Sequence, residues 1–453
     1  MVRVTIEQAK SHSNAMHSNP SQVQSGKLST LLRAEDWWSV WFGFILILAA
    51  VVGLLTGVPR PGRWSMNPLD AFPDVTLLQL GGLALGLGVL TAVGILVMGQ
   101  PVPAYLQGFL AVFALAALAK VAGQQVTLKG WGLGYALWSL VFGLLIANTI
   151  GAPQRLLAGT RSELFIKTGL VLLGAEILAH KILALGGPGL VVAWLVTPVV
   201  VLFMWFFGTR ILRISSKPLV IVISCATSVC GVSAAIAAAA ASRARKEELT
   251  VAVGMTMIFT VAMMVGMPAL SRALGLDQLV GGAWIGGTVD STGAVVAAGA
   301  IFGETAEKVA AVVKMIQNIL IGLIAFIIAL YWVSVVERDP HGPRPSPMEI
   351  WYRFPKFIVG FLAASLLFSF LLVPALGQEQ VSEILKVTKG LRGWWFALAF
   401  VAIGLESNFR QLASQLVGGK PIWLYITGQS FNILLTFLAA YLAFGGILFD
   451  RPL

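Results

Sequence analysis

The chain has 453 residues, of which 57% are hydrophobic and only 11% are charged, and its mean hydropathy is +0.86. This composition excludes a soluble globular protein of ordinary surface and predicts a polytopic integral membrane protein. The net charge of +11 is explained by basic loops that anchor membrane helices. Nucleic-acid binding is excluded because no basic stripe interleaved with aromatic residues occurs outside the apolar segments.

The first 36 residues are polar and lack the apolar core of a signal peptide, so they predict a disordered N-terminal tail. About thirteen apolar runs of bilayer length follow, roughly 20 residues each. In chain order they are residues 37–56, 75–98, 103–123, 131–150, 164–183, 189–212, 219–241, 249–271, 279–300, 309–336, 357–373, 391–406 and 422–449. We therefore predict an all-α fold of about 11–13 transmembrane helices, because interrupted runs can be re-entrant.

Two runs are interrupted by glycines and polar residues, at residues 227–233 (TSVCGVS) and 286–293 (GGTVDSTG). Irregular backbone persists in a bilayer only beside a cavity or a protein partner, since unpaired polar groups are costly there. Broken helices near the membrane midplane are where secondary transporters bind solutes. The breaks therefore predict a set of substrate-binding residues, namely Ser228, Cys230, Gly231, Ser233, Ser291 and Thr292.

Each break is followed by an Ala-rich stretch, at residues 234–241 and 294–300, whose simplest role is close helix packing. A half-helix that begins at Gly231 or Gly293 would direct free N–H groups and its positive dipole end toward the midplane. Such an arrangement favours an anion, although any solute with hydrogen-bond acceptors could use it.

Internal repetition predicts inverted symmetry. Residues 172–176 (LLGAE) are similar to residues 402–406 (AIGLE), and their runs are an odd number apart, as an inverted-topology repeat requires. Residues 227–239 are also similar to residues 288–300, but a simple count of runs makes these two segments parallel. Either that count is in error or one of the segments does not fully cross the membrane.

Ionisable residues within apolar runs are costly and mark function or ion pairs. Asp290 lies at a break, and a desolvated carboxyl favours its protonated form, so we predict that it binds the coupling proton or cation. Its alternative role is to cap the following half-helix. Glu176 and Glu406 lie near the ends of their runs and are coupling candidates or partners of interfacial ion pairs.

Lys314 lies on one helical face with Gln317 and Asn318. This polar stripe is predicted to face Asp290 or the cavity, where Lys314 would contact the substrate and balance the acidic charge of the empty site. Its alternative is snorkelling toward the interface.

No metal, cofactor or enzymatic motif is found. Cys225 and Cys230 are spaced for neither a disulfide nor a metal site. A hydrolase is not supported, because the sequence has no HExxH motif, no aspartate that pairs with Asp290, and no histidine at the breaks.

Four motifs in fixed order resemble the YeiH-like sulfate exporter family: residues 224–235 (SCATSVCGVSAA), 247–260 (EELTVAVGMTMIFT), 286–299 (GGTVDSTGAVVAAG) and 309–314 (VAAVVK). The resemblance extends roughly from residue 131 to the C-terminus. It implies a transporter core at residues 131–453, preceded by extension helices at residues 37–130. It also implies a bacterial inner-membrane protein related to the sodium/proton antiporter and bile-acid symporter fold, with two crossed broken helices.

The chain departs from that family where the chemistry would lie. Asp290 and Ser291 stand where the family usually has His-Glu, Ala294 stands in place of a Gln, Glu176 in place of an Arg, and the family's Arg near Gln317 is missing. Fewer arginines weaken a site for a divalent anion, since bidentate Arg contacts are the strong ones.

The sequence therefore predicts a secondary active transporter of a small solute, an anion such as sulfate or an organic anion, coupled to a proton or sodium gradient. A cation/proton antiporter is the alternative, favoured by Asp290, Glu176 and Glu406 and by the missing arginines. A passive channel ranks lower, because no filter loop or charge ring occurs. The expected partners are the solute, the coupling ion and the bilayer, and a homodimer stays open because lipid-facing and dimer surfaces look alike.

Overall fold

The computed structural model describes residues 34–72, 76–130, 134–337, 348, 351, 354–410 and 419–451. Within these ranges the secondary structure is helical and no β-strand occurs, which confirms the predicted all-α fold. Most of the predicted tail, residues 1–36, lies outside the described residues, and Glu35 and Asp36 already belong to the first helix.

The first half of the chain contains nine helices in its described part: α1 (Glu35–Val51), α2 (Thr76–Val97), α3 (Val102–Ala122), α4 (Val126–Gly130), α5 (Tyr135–Thr149), α6 (Gln154–Leu157), α7 (Ser162–Glu176), α8 (Ala179–Leu190) and α9 (Val196–Phe206). A 3-10 turn, Pro68–Ala71, lies between α1 and α2. The π-helical segment Val191–Leu195 joins α8 to α9, so that both form one continuous element, and a second such segment, Phe207–Ile211, extends α9.

The second half contains nine further helices among the described residues: α10 (Lys217–Ser228), α11 (Val232–Ala241), α12 (Lys246–Ala273), α13 (Gln278–Thr288), α14 (Thr292–Phe302), α15 (Glu304–Tyr331), α16 (Lys356–Leu366), α17 (Val373–Glu406) and α18 (Lys420–Phe444). The π-helical segments Trp332–Glu337 and Leu367–Leu372 extend α15 and join α16 to α17. Gly377, at φ +79°, kinks α17 near its start.

Seven helical elements of the described chain are long and apolar enough to cross a bilayer: Leu77–Val97, Val102–Ala122, Ala179–Ile211, Lys246–Ala273, Glu304–Val336, Lys356–Glu406 and Lys420–Phe444. Shorter apolar helices lie between them. The predicted boundary between the runs 164–183 and 189–212 was misplaced, because the helix break falls directly after Glu176, where the chain turns from α7 into α8.

The first broken element, α10 with α11, is a re-entrant hairpin. The Ser216 side chain at the outer end of α10 donates to Glu248 Oε1 near the start of α12, over 2.5 Å. A short turn also joins the end of α11 to the start of α12. Both outer ends therefore lie on one side of the membrane, and helices of this length reach about halfway through a bilayer.

The second broken element, α13 with α14, has the same form. Gln278 Oε1 at the outer end of α13 accepts from the Thr305 N–H at the start of α15, over 2.9 Å, and Gly281 packs directly against the Phe302 ring at the end of α14. The long helix α12 lies between the two hairpins along the chain, so they enter from opposite sides. Neither segment fully crosses the membrane, which explains why a simple count of runs made the two segments parallel. The two broken elements are therefore re-entrant hairpins and not the crossed broken helices that the family resemblance implied.

The helices pack into two bundles. The scaffold bundle comprises α1, α2, α3, α5, α7, α16 and α17, whereas the hairpin bundle comprises α8 to α15 and α18. Most close packing occurs inside each bundle, and α14 makes contacts with α5, α7 and α17 across the boundary. The division of the chain at residue 130 stays a prediction, and helices from both sides of that residue pack together in the scaffold bundle.

The predicted inverted pair lies in the scaffold bundle as two antiparallel helices, α7 and the second part of α17. Glu176 at the end of α7 forms an ion pair with Arg392 over 2.7 Å. Glu406 at the end of α17 accepts from Ser162 at the start of α7, over 2.8 Å. Each terminal glutamate therefore contacts the other helix at its opposite end, as an inverted repeat predicts.

Candidate functional site

The two hairpin tips, residues 228–231 and 288–291, meet inside the hairpin bundle. Gly231 has φ +59°, and a β-carbon added to it would lie only 3.0 Å from the carbonyl oxygen of Asp290 and 3.0 Å from the Thr256 methyl group. Only glycine adopts this conformation without strain and leaves room for the other tip. The two predicted breaks therefore form one site.

Side chains from α15 donate hydrogen bonds to the carbonyl groups at the ends of α10 and α13, the two helices that enter the tips. Lys314 Nζ donates to the Val229 carbonyl over 2.5 Å and to Gln317 Oε1 over 2.6 Å. Gln317 Nε2 in turn lies within 3.0 Å of the Ser228 carbonyl and 3.2 Å of the Gly287 carbonyl. The polar stripe thus faces both breaks, and it satisfies the last carbonyls of α10 and α13, which have no intrahelical donors.

α18 completes this arrangement with residues that the sequence analysis did not select. Gln429 Nε2 donates to the Thr288 carbonyl over 3.1 Å, and Asn432 Nδ2 lies 3.4 Å from the Thr227 carbonyl. With Tyr425 and Thr436 they form a polar line along one face of α18. The spacing of four, three and four residues was the available signal, since such a stripe in an apolar helix marks a buried polar partner.

Asp290 is 1% exposed and accepts a hydrogen bond from the Tyr425 hydroxyl at its Oδ2 atom. Its Oδ1 atom has no hydrogen-bond partner. Among the described residues no Lys or Arg forms an ion pair with this carboxyl, although Lys314 lies in the same site. Asp290 also does not cap α14 through its side chain. A carboxylate in this position is costly unless it is protonated or balanced nearby.

The helices that leave the tips begin without caps. No side chain in the described part of the chain accepts from the first N–H groups of α11 or α14, whose N-cap residues are Gly231 and Ser291. These N–H groups have no intrahelical acceptor. Ser233 is exposed and Ser291 is partly exposed, whereas Ser228 is buried. The accessible side of the tips is therefore the side on which the two helices begin.

The tip of the second hairpin faces the scaffold bundle. A β-carbon added to Gly293 would lie 3.0 Å from the Ile403 δ-methyl group of α17 and 3.9 Å from Ile166 of α7. Thr292 is 8% exposed and accepts from Asn318 Nδ2 over 3.0 Å. The start of α14 thus lies at the boundary between the two bundles, next to the inverted pair of helices.

Comparison with known proteins identifies the family of this chain. A family model described as Conserved hypothetical protein 698 matches residues 107–425, which include both hairpins. The chain belongs to this family. Its resemblance to YeiH-like proteins, inferred from the motifs, is confirmed.

Several similar proteins of the family are named UPF0324 membrane proteins. One from Rhodopirellula baltica is 53% identical over 393 residues, which cover 86% of this chain and 72% of the relative. One from Nitratidesulfovibrio vulgaris is 53% identical over 370 residues, or 80% of this chain and 63% of the relative. One from Nitrosomonas europaea is 30% identical over 459 residues, or 88% and 92%. No solved structure matches. Together with the seven apolar helices, these names confirm a multi-pass plasma-membrane protein.

Two predicted coupling residues of this family member lie away from the tips. Glu176 is held by Arg392, which also forms an ion pair with Glu307 of α15 over 2.5 Å. Glu406 is paired with Ser162 at the other end of the same helix pair. Both partners, Arg392 and Ser162, lie far from these glutamates along the chain.

Both cysteines are buried free thiols, and Cys230 lies in the first tip, where it is 8% exposed. No cluster of metal-ligating residues occurs among the described residues. A small apolar void of about 10 Å³ lies behind the first tip, lined by Cys225, Val229 and neighbouring alanines and isoleucines. It is too small for a solute.

Proposed function

We propose that this family member is a secondary active transporter that binds a small anion at the two hairpin tips and couples its movement to a proton or sodium gradient. One asymmetry carries the proposal. The carbonyl ends of the entering helices are occupied by donors such as Lys314 and Gln317, whereas the N–H ends of α11 and α14 are uncapped. Uncapped N–H groups and positive dipole ends attract anions, and occupied carbonyls are poor cation ligands.

Three hydroxyl groups and the glycines would complete this anion site. Ser233 and Ser291 lie at the starts of the leaving helices, and both are accessible. Thr292 adds a hydroxyl that already accepts from Asn318 and can therefore donate to an anion. Gly231 and Gly293 have no side chain that could cover these backbone N–H groups. In this proposal Ser228 and Cys230 shape the first tip.

Asp290 is proposed as the coupling group. It is buried, its Oδ1 atom lacks a partner, and it directly precedes the uncapped start of α14. Binding of a proton or cation there would change the charge beside the anion, which links the two binding events. Glu176, which forms an ion pair with Arg392, and Glu406, which accepts from the Ser162 hydroxyl, would then stabilise contacts between helices.

Alternating access would arise from movement of the hairpin bundle relative to the scaffold bundle. The boundary is formed largely by α14, a helix made mostly of small residues, and its Gly293 lies against Ile403 of α17. Small residues allow close approach and leave few interlocking side chains. Such a boundary supports displacement of one bundle against the other, as the inverted hairpins also suggest.

A cation/proton antiporter is the second candidate, and one observation favours it. Asp290 Oδ1, Asn318 Oδ1 and Gln429 Oε1 are buried oxygen atoms without hydrogen-bond partners. Oxygen ligands of this kind suit sodium if they converge on one point.

Flux in proteoliposomes tests the proposal. The full chain would be reconstituted, and uptake of labelled sulfate, nitrate and lactate would be measured with and without an inward proton or sodium gradient, against protein-free liposomes. We expect saturable, gradient-dependent uptake of at least one anion, lost in Asp290→Asn and kept in Asp277→Asn, a matched change at the outer end of the same hairpin. Proton movement that appears only on addition of sodium or potassium, without anion uptake, would replace this proposal with the antiporter.

A further inference from the structure

Two ionisable side chains determine the charge of the hairpin tips. Asp290 lies in the second tip and Lys314 lies on α15, and each side chain is only 1% exposed. The other titratable groups at the tips are the Tyr425 hydroxyl from α18, which donates to Asp290, and the Cys230 thiol from the first tip, which lies near Lys314. From α12, the Thr256 methyl group faces the first tip. One acid and one base therefore balance each other when both are charged.

The helix ends add no net charge, but they separate it. Each tip contains one C-terminal and one N-terminal helix end, which carry about −0.5 and +0.5 elementary charge. The ammonium of Lys314 is hydrogen-bonded to the C-terminal side, at the Val229 carbonyl. The uncapped N-terminal ends of α11 and α14 therefore keep about one positive charge in total on their own side.

We propose that the transported solute is a monovalent anion that moves together with one proton, and that the proton is carried by Asp290. This inference rests on the proposed function and specifies its substrate class. The empty site then contains ionised Asp290 and Lys314 and is neutral. The loaded site contains protonated Asp290, Lys314 and one negative charge on the anion, and it is again neutral.

Neutrality in both states matters because the tips are buried among apolar and small residues. A divalent anion would leave the loaded site with an uncompensated negative charge, and such a charge costs several kcal/mol when it is removed from water. No arginine in the described chain contacts the tips to supply a second positive charge. The Oδ1 atom of Asp290 provides the place for the proton, since Oδ2 already accepts from Tyr425.

The experiment uses the full chain in proteoliposomes that contain a pH-sensitive dye, with the membrane potential fixed by potassium and valinomycin. Inward gradients of chloride, nitrate or lactate are compared with gradients of sulfate, thiosulfate or succinate. We expect at least one monovalent anion to acidify the interior, with about one proton per anion and less than about a 2-fold change in rate when the potential is set to −100 mV. None of the divalent anions should do so.

Variants separate the coupling step from folding. In Asp290→Asn the loaded site is neutral, as in the unmodified chain, but the empty site carries the uncompensated positive charge of Lys314. The empty site therefore cannot return across the membrane. Net uptake should fall by at least about 10-fold, whereas exchange of labelled for unlabelled anion should continue. Lys314→Gln should lose both activities, because the protonated, loaded site would then be negative. Asp277→Asn should behave like the unmodified chain.

Transport of divalent anions alone would overturn the inference while it left the proposed function standing. A monovalent flux that carries net charge, and so follows the potential, would overturn it as well. If no anion of either set moves, the proposed function itself fails.

Discussion

Gln317 shows how one side chain can hold both tips together. Its amide contacts the Ser228 and Gly287 carbonyls, which belong to different hairpins, and its oxygen accepts from Lys314. It is 1% exposed, so water cannot replace these partners. The polar stripe predicted from the sequence therefore supports the site, and its Lys314 ammonium is directed to the backbone of the first tip and not to Asp290 alone.

We expect Gln317→Met to destabilise the protein. The substitution keeps the shape of the side chain but leaves buried carbonyls without donors, which costs about 1–3 kcal/mol for each group. Thermal unfolding in detergent would measure the effect. Gln107→Met is the matched control, because Gln107 is exposed on α3. Equal melting temperatures for the two variants would show that the tips do not depend on this amide.

The residues that the sequence analysis missed were detectable in principle. Tyr425, Gln429, Asn432 and Thr436 lie on one face of α18, just as Lys314, Gln317 and Asn318 lie on one face of α15. The stripe on α18 lacks a charged residue, and uncharged polar residues in an apolar helix are less costly and thus less conspicuous. Their partner carbonyls lie more than a hundred residues away along the chain, which no local pattern reveals.

At the level of helices, the breaks were predicted correctly but the path of the chain was not. Two half-helices of 12 and 10 residues have together the length of one crossing helix, so hydropathy cannot separate a crossing from a hairpin. The deciding contacts, Ser216 with Glu248 and Gln278 with Thr305, link the outer ends of the hairpins to the next long helices. These contacts depend on how the helices pack, which hydropathy does not show.

The start of α14 offers a test of the uncapped helix end. In Gly293→Ala the new methyl group would contact the flexible end of Ile403 and partly cover the N–H groups before it. Folding should be preserved, whereas the KM for the transported anion should rise several-fold, since the anion competes with the methyl group for that space.

Gly266→Ala on α12 is the control for this change. No atom lies within 4 Å of a β-carbon added there, so only the gain of a residue that favours helix is expected. If both variants transport with the same KM, the start of α14 does not contact the anion.

At the level of the whole molecule, Arg392 connects the two bundles. It lies on α17 of the scaffold bundle, pairs with Glu176 of the same bundle over 2.7 Å, and pairs with Glu307 of the hairpin bundle over 2.5 Å. All three side chains are nearly buried, with 5–7% exposed. The sequence did not predict this cluster, because its members come from three separate helices.

Removal of Arg392 alone should strongly destabilise the protein. Arg392→Gln leaves two buried carboxylates without their cation, and loss of one partner from a buried ion pair costs about 3–5 kcal/mol. The melting temperature should therefore fall far more than in Lys386→Gln, which removes an exposed pair with Glu383 that contributes about 0–1 kcal/mol.

The triple variant Glu176→Gln, Arg392→Met, Glu307→Gln separates stability from movement. Replacing a whole buried ionic cluster with uncharged side chains often changes the stability little. The melting temperature of the triple variant should therefore return toward that of the unmodified chain. The charged contact between the bundles is nevertheless absent, and if the bundles move against each other, its loss lowers the barrier for leaving this conformation. Anion exchange in proteoliposomes should then become faster at unchanged stability. An unchanged exchange rate would mean that Arg392 stabilises the fold without restraining the movement of the hairpin bundle.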